Sequence, residues 1–146
     1  MATLHLKIIT PKKIVLEKDV DELTLPTSEG EITVLPRHIN LFCLLVEGVI
    51  RFQKDNKEDY IAVGGGYMET DGEHANVLVS RAHGQDEIDQ KATLEAISEA
   101  KSLIKKTKDK DQHTEISSLL RRSLVDLKLL KKKAPKSFTE RPGESL

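Results

Sequence analysis

Leu23-Thr-Leu-Pro-Thr-Ser-Glu-Gly-Glu-Ile-Thr-Val-Leu-Pro-Arg-His38 decides how the first half of the chain is built. Pro26 closes one strand, and Ser28, Glu29 and Gly30 read as a tight turn in which Gly30 can take positive φ. Ile32, Val34 and Leu35 form a short apolar run, which Pro36 stops because proline brings no N–H to a ladder. The expectation is a hairpin followed by a shaped loop that displays Arg37 and His38.

The same punctuation extends in both directions. Leu4, Leu6 and Ile8 alternate with polar neighbours, as on a half-buried strand. Strand-like segments at 14–16 and 20–25 precede the hairpin, and others at 41–46, 49–52, 60–63, 67–70 and 76–79 follow it. Asp55, Asn56 and Lys57 mark a turn, Gly64, Gly65 and Gly66 break a run, and Asp71 with Gly72 makes a compact turn. Many short strands without intervening helical periods predict a β-sandwich or barrel over 1–84.

Near Arg81 the apolar period changes from two to about 3.6. Asp86 reads as an N-cap, with Glu87 and Asp89 in a first turn where the helix dipole favours negative charge. Ile88, Ala92, Ala96, Ala100 and Leu103 follow at steps of four or three, and the three alanines make a small-residue stripe suited to close helix packing. The polar run 108–113 reads as a loop, and a second helix is expected from about Thr114. Its apolar stripe is Ile116, Leu120, Ser123, Leu124, Leu127 and Leu130, and Lys131, Lys132, Lys133 and Pro135 end it. The C-terminal part is therefore expected to be an antiparallel αα-hairpin over 85–134, with a flexible tail at 135–146.

Composition narrows the function. Hydrophobic residues make up 38% but aromatics only 3%, so the core must be aliphatic. The 23 basic and 24 acidic side chains balance to −1, which provides no field for nucleic acid or an anionic membrane surface. Cys43 lies in an apolar run and reads as a small hydrophobe in a reducing compartment. No removable leader is expected, and the longest apolar run falls far short of the ~20 residues of a membrane span. Any work at a membrane would need another protein to hold the chain there.

The residues offer no catalytic constellation. Gly64 to Gly66 lack the lysine and the following helix of a phosphate loop and read as a strand corner. His5, His38, His74, His83 and His113 are scattered without helical pairing, so no metal is expected. No serine sits in a nucleophile elbow. The expectation is a protein that is not an enzyme and needs no cofactor.

The order Leu-x-x-Pro-x-x-x-Gly-Glu-x-x-x-Leu-Pro-x-His from Leu23 to His38 resembles the N-terminal domain of epsilon subunits of rotary, F-type ATP synthases. Thr33 and Arg37 stand where that family commonly has glycine. The stretch Leu45-Val-Glu-Gly-Val-Ile50 looks like the family's next hairpin, and 65–69 with 76–79 look like its last two strands. The resemblance implies a β-sandwich followed by a C-terminal helical hairpin. It also implies a non-catalytic rotor subunit that binds gamma, seats the stalk on the c-ring and couples ion flow to ATP synthesis. The hairpin would be a switch over ATP hydrolysis, and the location the cytoplasmic face of a bacterial inner membrane or the stromal side of a plastid one. The rival reading is a free-standing adaptor, a sandwich with a helical arm for an unrelated partner.

Three groups of residues follow from the resemblance. Glu31, Arg37 and His38 occupy the loops that would face the c-ring, though Arg37 reads equally as a solvated turn residue. Arg121, Arg122, Lys128 and Lys132 would meet an acidic segment of the catalytic beta subunit, or else form a solvated helix face. Ile88 and Asp89 match the start of an ATP-binding motif, but Ala92 and Thr93 stand where it has arginine and alanine, and Glu99 where a second arginine is found. Lys91 and Lys101 supply only flexible point charges, so very weak ATP binding is expected.

Overall fold

The structure, a computed structural model, describes residues 2–37 and 40–132 of the 146. The expectations for His38, for Lys133 and for the tail at 135–146 therefore lie outside the described residues.

Ten strands come first: β1 Leu4–Ile9, β2 Ile14–Val20, β3 Glu22–Thr27, β4 Gly30–Val34, β5 Leu41–Leu45, β6 Gly48–Lys54, β7 Lys57–Val63, β8 Gly66–Thr70, β9 His74–Val79 and β10 Ala82–His83. They form one path, β10-β7-β6-β3-β5-β8-β9-β1-β2, with β4 on the other side of β3. β3 meets β5 through the single pair Thr27↔Leu45, and there the path folds over into two layers. Leu4, Leu6, Ile8, Met68 and Val77 of one layer pack against Leu23, Leu25, Ile50, Phe52 and Val63 of the other. The core is aliphatic, with Phe52 as its one buried aromatic side chain among the described residues.

Turn chemistry sets the registers. Gly30 takes φ 114° at the β3–β4 turn, where Pro26 faces Glu31 across the ladder. Asp55 and Asn56 both take positive φ (53° and 65°) and join Lys54 to its partner Lys57, the two-residue geometry that matches strand twist. Gly66 tolerates no side chain, since a Cβ there would lie 2.0 Å from the Leu78 carbonyl oxygen. The three glycines thus make a strand corner.

Two local expectations are corrected. The segment 20–25 is broken at Asp21, where the chain passes between layers and Asp21 N–H donates to Gln53 O at 2.7 Å. The segment 45–50 is not a hairpin: β5 pairs with β8, whereas β6 pairs with β3 and β7. The turn between β5 and β6 is a corner between layers, pinned where Val46 N–H donates to Pro26 O at 3.1 Å.

A 3-10 turn at Gln85–Glu87 leads to α1 Gln90–Lys106 and α2 Lys110–Lys131, which pack together as the predicted hairpin. The N-cap of α1 is Asp89, not Asp86. Glu87 closes its own turn with Gly84, and Ile88 is extended (φ −106°, ψ 126°), so a helix cannot run through from Asp86. α2 begins at Lys110 rather than Thr114, because Asp109 caps it by accepting from Asp111 N–H at 3.0 Å. A good cap and a solvated face make the polar run 110–113 helical despite its composition.

Candidate interaction site and hairpin docking

The two outer faces of the sandwich differ. On the β6–β7–β10 layer, the cross-strand row Val49, Ala62 and His83 points outward and is covered by α2. Leu129, completely buried, packs with Val49 and Ala62, with Tyr60, Ile88 and Val125 around them. Lys132 lies over the Tyr60 ring, its Nζ 5.4 Å from the centroid. Burying Leu129 contributes about 1.5–3 kcal/mol, and Val49, Ala62 and Val125 add to it, in a cluster much smaller than the sandwich core.

Polar contacts frame it. Glu47, at the β5–β6 corner, accepts from Arg81 Nη2 at 3.1 Å. Arg81 Nη1 reaches Asp126 of α2 at 3.5 Å, and His83 Nε2 reaches the same carboxylate at 2.7 Å. Arg122 Nε stands 4.0 Å from Glu47. The side-chain amide of Gln85 donates to Leu129 O at 2.7 Å and Lys132 O at 3.0 Å, satisfying carbonyls that the end of α2 leaves free. Arg81 Nε is buried with no acceptor among the described residues, so the network is incomplete.

The expected apolar stripes are shifted. On α1 the buried residues are Thr93, Ile97 and Ala100, while Ala92 is exposed. On α2 Leu124 is 42% exposed and Leu129 takes the central place. The helix packs against both α1 and the sheet, so its buried arc is wider than a single heptad-like stripe and turned toward the sandwich.

Of the basic residues of the second helix, Arg121, Arg122 and Lys128 are exposed, Arg122 with its Nε 4.0 Å from Glu47, and the C-cap Lys132 lies over Tyr60. Glu31 and Arg37 are both exposed but lie at opposite ends of β4, Glu31 near the turn tip and Arg37 beyond Val34. Arg37 takes φ 62°, a conformation that favours glycine, and its N–H donates to Gly72 O at 2.8 Å. Asp89 is occupied as a cap, accepting from Ala92 N–H at 3.1 Å, and Ile88 packs beneath α2.

The other outer face, on β5–β8–β9–β1–β2, is not covered by any of the described residues. Its first cross-strand row is apolar: Leu44, Tyr67, Leu78, Ile9 and Ile14. The next is Phe42, Glu69, Asn76, Lys7 and Glu17. Phe42 and Leu44 are 60% and 66% exposed, and the Phe42 and Tyr67 rings lie 5.3 Å apart. At the far edge His5 bridges Asp19 at 2.7 Å and Glu17 at 2.8 Å, and these carboxylates hold its pKa above the ordinary 6.5. Reading 41–46 as one continuous apolar run hid this face. The clue was available, since strict alternation along β5 puts Phe42 and Leu44 on the side opposite Leu41, Cys43 and Leu45. Asp126 also had a signal, as the lone acid among the basic and apolar residues of 116–131.

Residues 3–85 match the family described as ATP synthase, Delta/Epsilon chain, beta-sandwich domain, so the class is that of a delta/epsilon-type subunit. Over 134 residues the chain is 33% identical to the ATP synthase epsilon chain of Geotalea uraniireducens (strain Rf4), covering 91% of this chain and 97% of the relative. It is 40% identical over 110 residues to the ATP synthase epsilon chain of Sulfurovum sp. (strain NBC37-1), covering 73% and 83% of the two chains. The chain belongs to the ATP synthase epsilon chain family. A chain in the structure of Euglena gracilis mitochondrial ATP synthase, OSCP/F1/c-ring in rotational state 1, superposes with a TM-score of 0.78 over 88% of this chain and 81% of that one. At 21% identity this is a likeness of fold.

Proposed function

We propose that this chain is a non-catalytic central-stalk subunit of an ATP synthase, in which the sandwich carries assembly and the hairpin regulates ATP hydrolysis. The observation that carries the reading is the contrast between the two outer faces. One is bare and apolar at Phe42, Leu44 and Tyr67; the other is covered by the chain's own hairpin through a small contact. An exposed apolar patch of this kind marks a place for another protein, and gamma is the partner assigned to it. Glu31 and Arg37, with His38, are assigned to the c-ring, which would hold the subunit peripherally at the cytoplasmic face of a bacterial inner membrane. No helix among the described residues is long and apolar enough to cross a membrane.

The hairpin suits a switch because its docked state is only modestly favoured. A small apolar cluster (Leu129 and Val125 on Val49, Ala62 and Tyr60, with Ile88) and a polar frame hold it, and the orphaned Arg81 Nε costs about 1–3 kcal/mol. Two packings of one helical pair that differ by a few kcal/mol can be exchanged by a partner. Released, the hairpin would free Arg122 and Lys132 from the sandwich, joining Arg121 and Lys128 as a basic surface to oppose the beta subunit.

A chain cut after Gly84 tests the division of labour. It should fold and bind gamma, and hydrolysis by the reconstituted complex should rise or stay unchanged. Loss of gamma binding would show that the sandwich does not carry assembly. In a complex inhibited by this subunit, alanine at Arg121, Arg122 and Lys128 should relieve inhibition, and part of the effect should fade at higher salt, since exposed charges are screened beyond ~10 Å at ~0.1 M. Unchanged hydrolysis at low salt would leave the basic residues as a solvated surface.

A further inference from the structure

We infer that the bare face of the sandwich receives a basic side chain from its partner, an arginine or lysine set beside the partner's apolar ridge. The inference rests on the proposal that this face is the docking surface for gamma, and it names the chemistry of the contact. A shallow open cleft of about 490 Å³ lies over β5, β8 and β9, lined by Phe42, Glu69, Asp71 and Asn76 among others. Glu69 stands directly between Phe42 and Asn76 in the cross-strand register, one step along β8 from Tyr67's row.

The carboxylates of this face are not equivalent. Glu17 and Asp19 are already engaged by His5, with Lys7 3.9 Å from Glu17. Asp71 accepts the N–H groups of Glu73 and His74, and these bonds hold its pKa below the ordinary 3.8. The Glu69 carboxylate has neither a hydrogen bond nor an ion pair among the described residues, and it is exposed next to an aromatic pair. Of the other charged groups, Arg37 is fixed by its backbone to Gly72, and His74 lies 3.4 Å from Asp71. An apolar row followed by an unpaired carboxylate is complementary to a ridge followed by a cation. A guanidinium would suit it best, because its plane can lie on Phe42 or Tyr67 while its edge meets Glu69. Such a charge pair at the rim of an interface acts mainly on encounter rate and register, while the apolar row excludes water.

Binding of the full-length chain to the gamma subunit from the same source, followed by biolayer interferometry at low and high salt, tests the inference. Glu69→Lys should weaken binding about tenfold or more at low salt, mostly through slower association, and Glu69→Gln should weaken it less and flatten the salt dependence. Leu44→Ser should abolish binding whatever the charge at position 69. An acidic substitution of one gamma arginine or lysine should restore binding to Glu69→Lys. If Glu69→Lys binds as the unmodified chain does while Leu44→Ser fails, the face docks gamma without a basic group and the inference is overturned. If both variants bind normally, the assignment of this face to gamma fails as well. A dimer of the chain alone that Leu44→Ser disrupts would give the face to a second copy and also overturn it. All these positions are exposed, so unchanged unfolding midpoints verify the fold.

Discussion

His83 and Asp126 meet at 2.7 Å across the boundary between the sandwich and the hairpin, although 43 positions separate them in the chain. The imidazole belongs to β10 and the carboxylate to the C-terminal third of α2. The same carboxylate receives Arg81, which Glu47 holds from the other side. This frame carries most of the polar definition of the docked state.

Asp126→Ala leaves Arg81 and His83 facing an empty position, so the docked hairpin should lose about 1–2 kcal/mol. Amide hydrogen exchange across α2 should then speed up roughly five- to thirtyfold, while β1, β8 and β9 keep their protection. Uniform acceleration over both parts would mean that hairpin and sandwich open as a single unit. Gln85→Ala should free only the last turn of α2, because its amide serves Leu129 and Lys132 alone.

Arg37 takes φ 62°. A Cβ in the left-handed region costs about 1 kcal/mol, which glycine avoids at some expense in unfolded-chain entropy. Arg37→Gly should therefore raise stability by about 0.5–1 kcal/mol in urea unfolding. Arg37→Ala keeps the Cβ and should not. Equal gains from both would mean that the arginine side chain, and not the backbone, is the source of strain.

His5 makes stability depend on pH in a stated direction. Its folded pKa is raised above 6.5 by Asp19 and Glu17, so its contribution is complete below pH 6.5 and disappears as pH rises through the folded value. Glu17 is held below 4.5, chiefly by His5, so its contribution is present above pH 4.5 and fades as pH falls through its lower folded value. Both are present between these limits. Urea unfolding at about pH 5.5 and about pH 8.5 should show a fall at the higher pH that His5→Gln diminishes. A His5 titration by NMR with a pKa at or below 6.5 would contradict the assignment.

ATP should bind the isolated chain with a Kd in the millimolar range or weaker, about −4 kcal/mol at best. Asp89 is committed to capping Ala92 N–H, Ala92 offers an exposed methyl where phosphate would need a donor, and Glu99 is an exposed negative charge. Calorimetric titration checks this, and micromolar affinity would rule it out. Ala92→Arg with Glu99→Arg should strengthen binding.

What the sequence determined by itself was local. Gly30, Asp55 with Asn56, and Asp71 with Gly72 announce turns because few residues accept the backbone angles required there, and all three turns stand where the spacing puts them. Alternation in β1 and the change of period after Arg81 likewise follow from which side of an element is wet. The tertiary structure alone decided which outer face is covered. Alternation along β5 sets Phe42 and Leu44 on one side and Leu41, Cys43 and Leu45 on the other, but only the docking of α2 on β6 and β7, a contact between distant residues with no local signature, leaves Phe42 and Leu44 exposed. The helix stripes were misplaced for the same reason: α2 packs against two neighbours, so Leu129 is buried and Leu124 exposed by an orientation that no single-helix period contains. Glu47, Arg81 and His83 each read as an ordinary solvated charge or polar residue, and Asp126, though the lone acid of 116–131, names no partner. Only the docking of α2 on β6 and β7 brings them within hydrogen-bond reach, where their mutual attraction offsets part of what each loses in hydration.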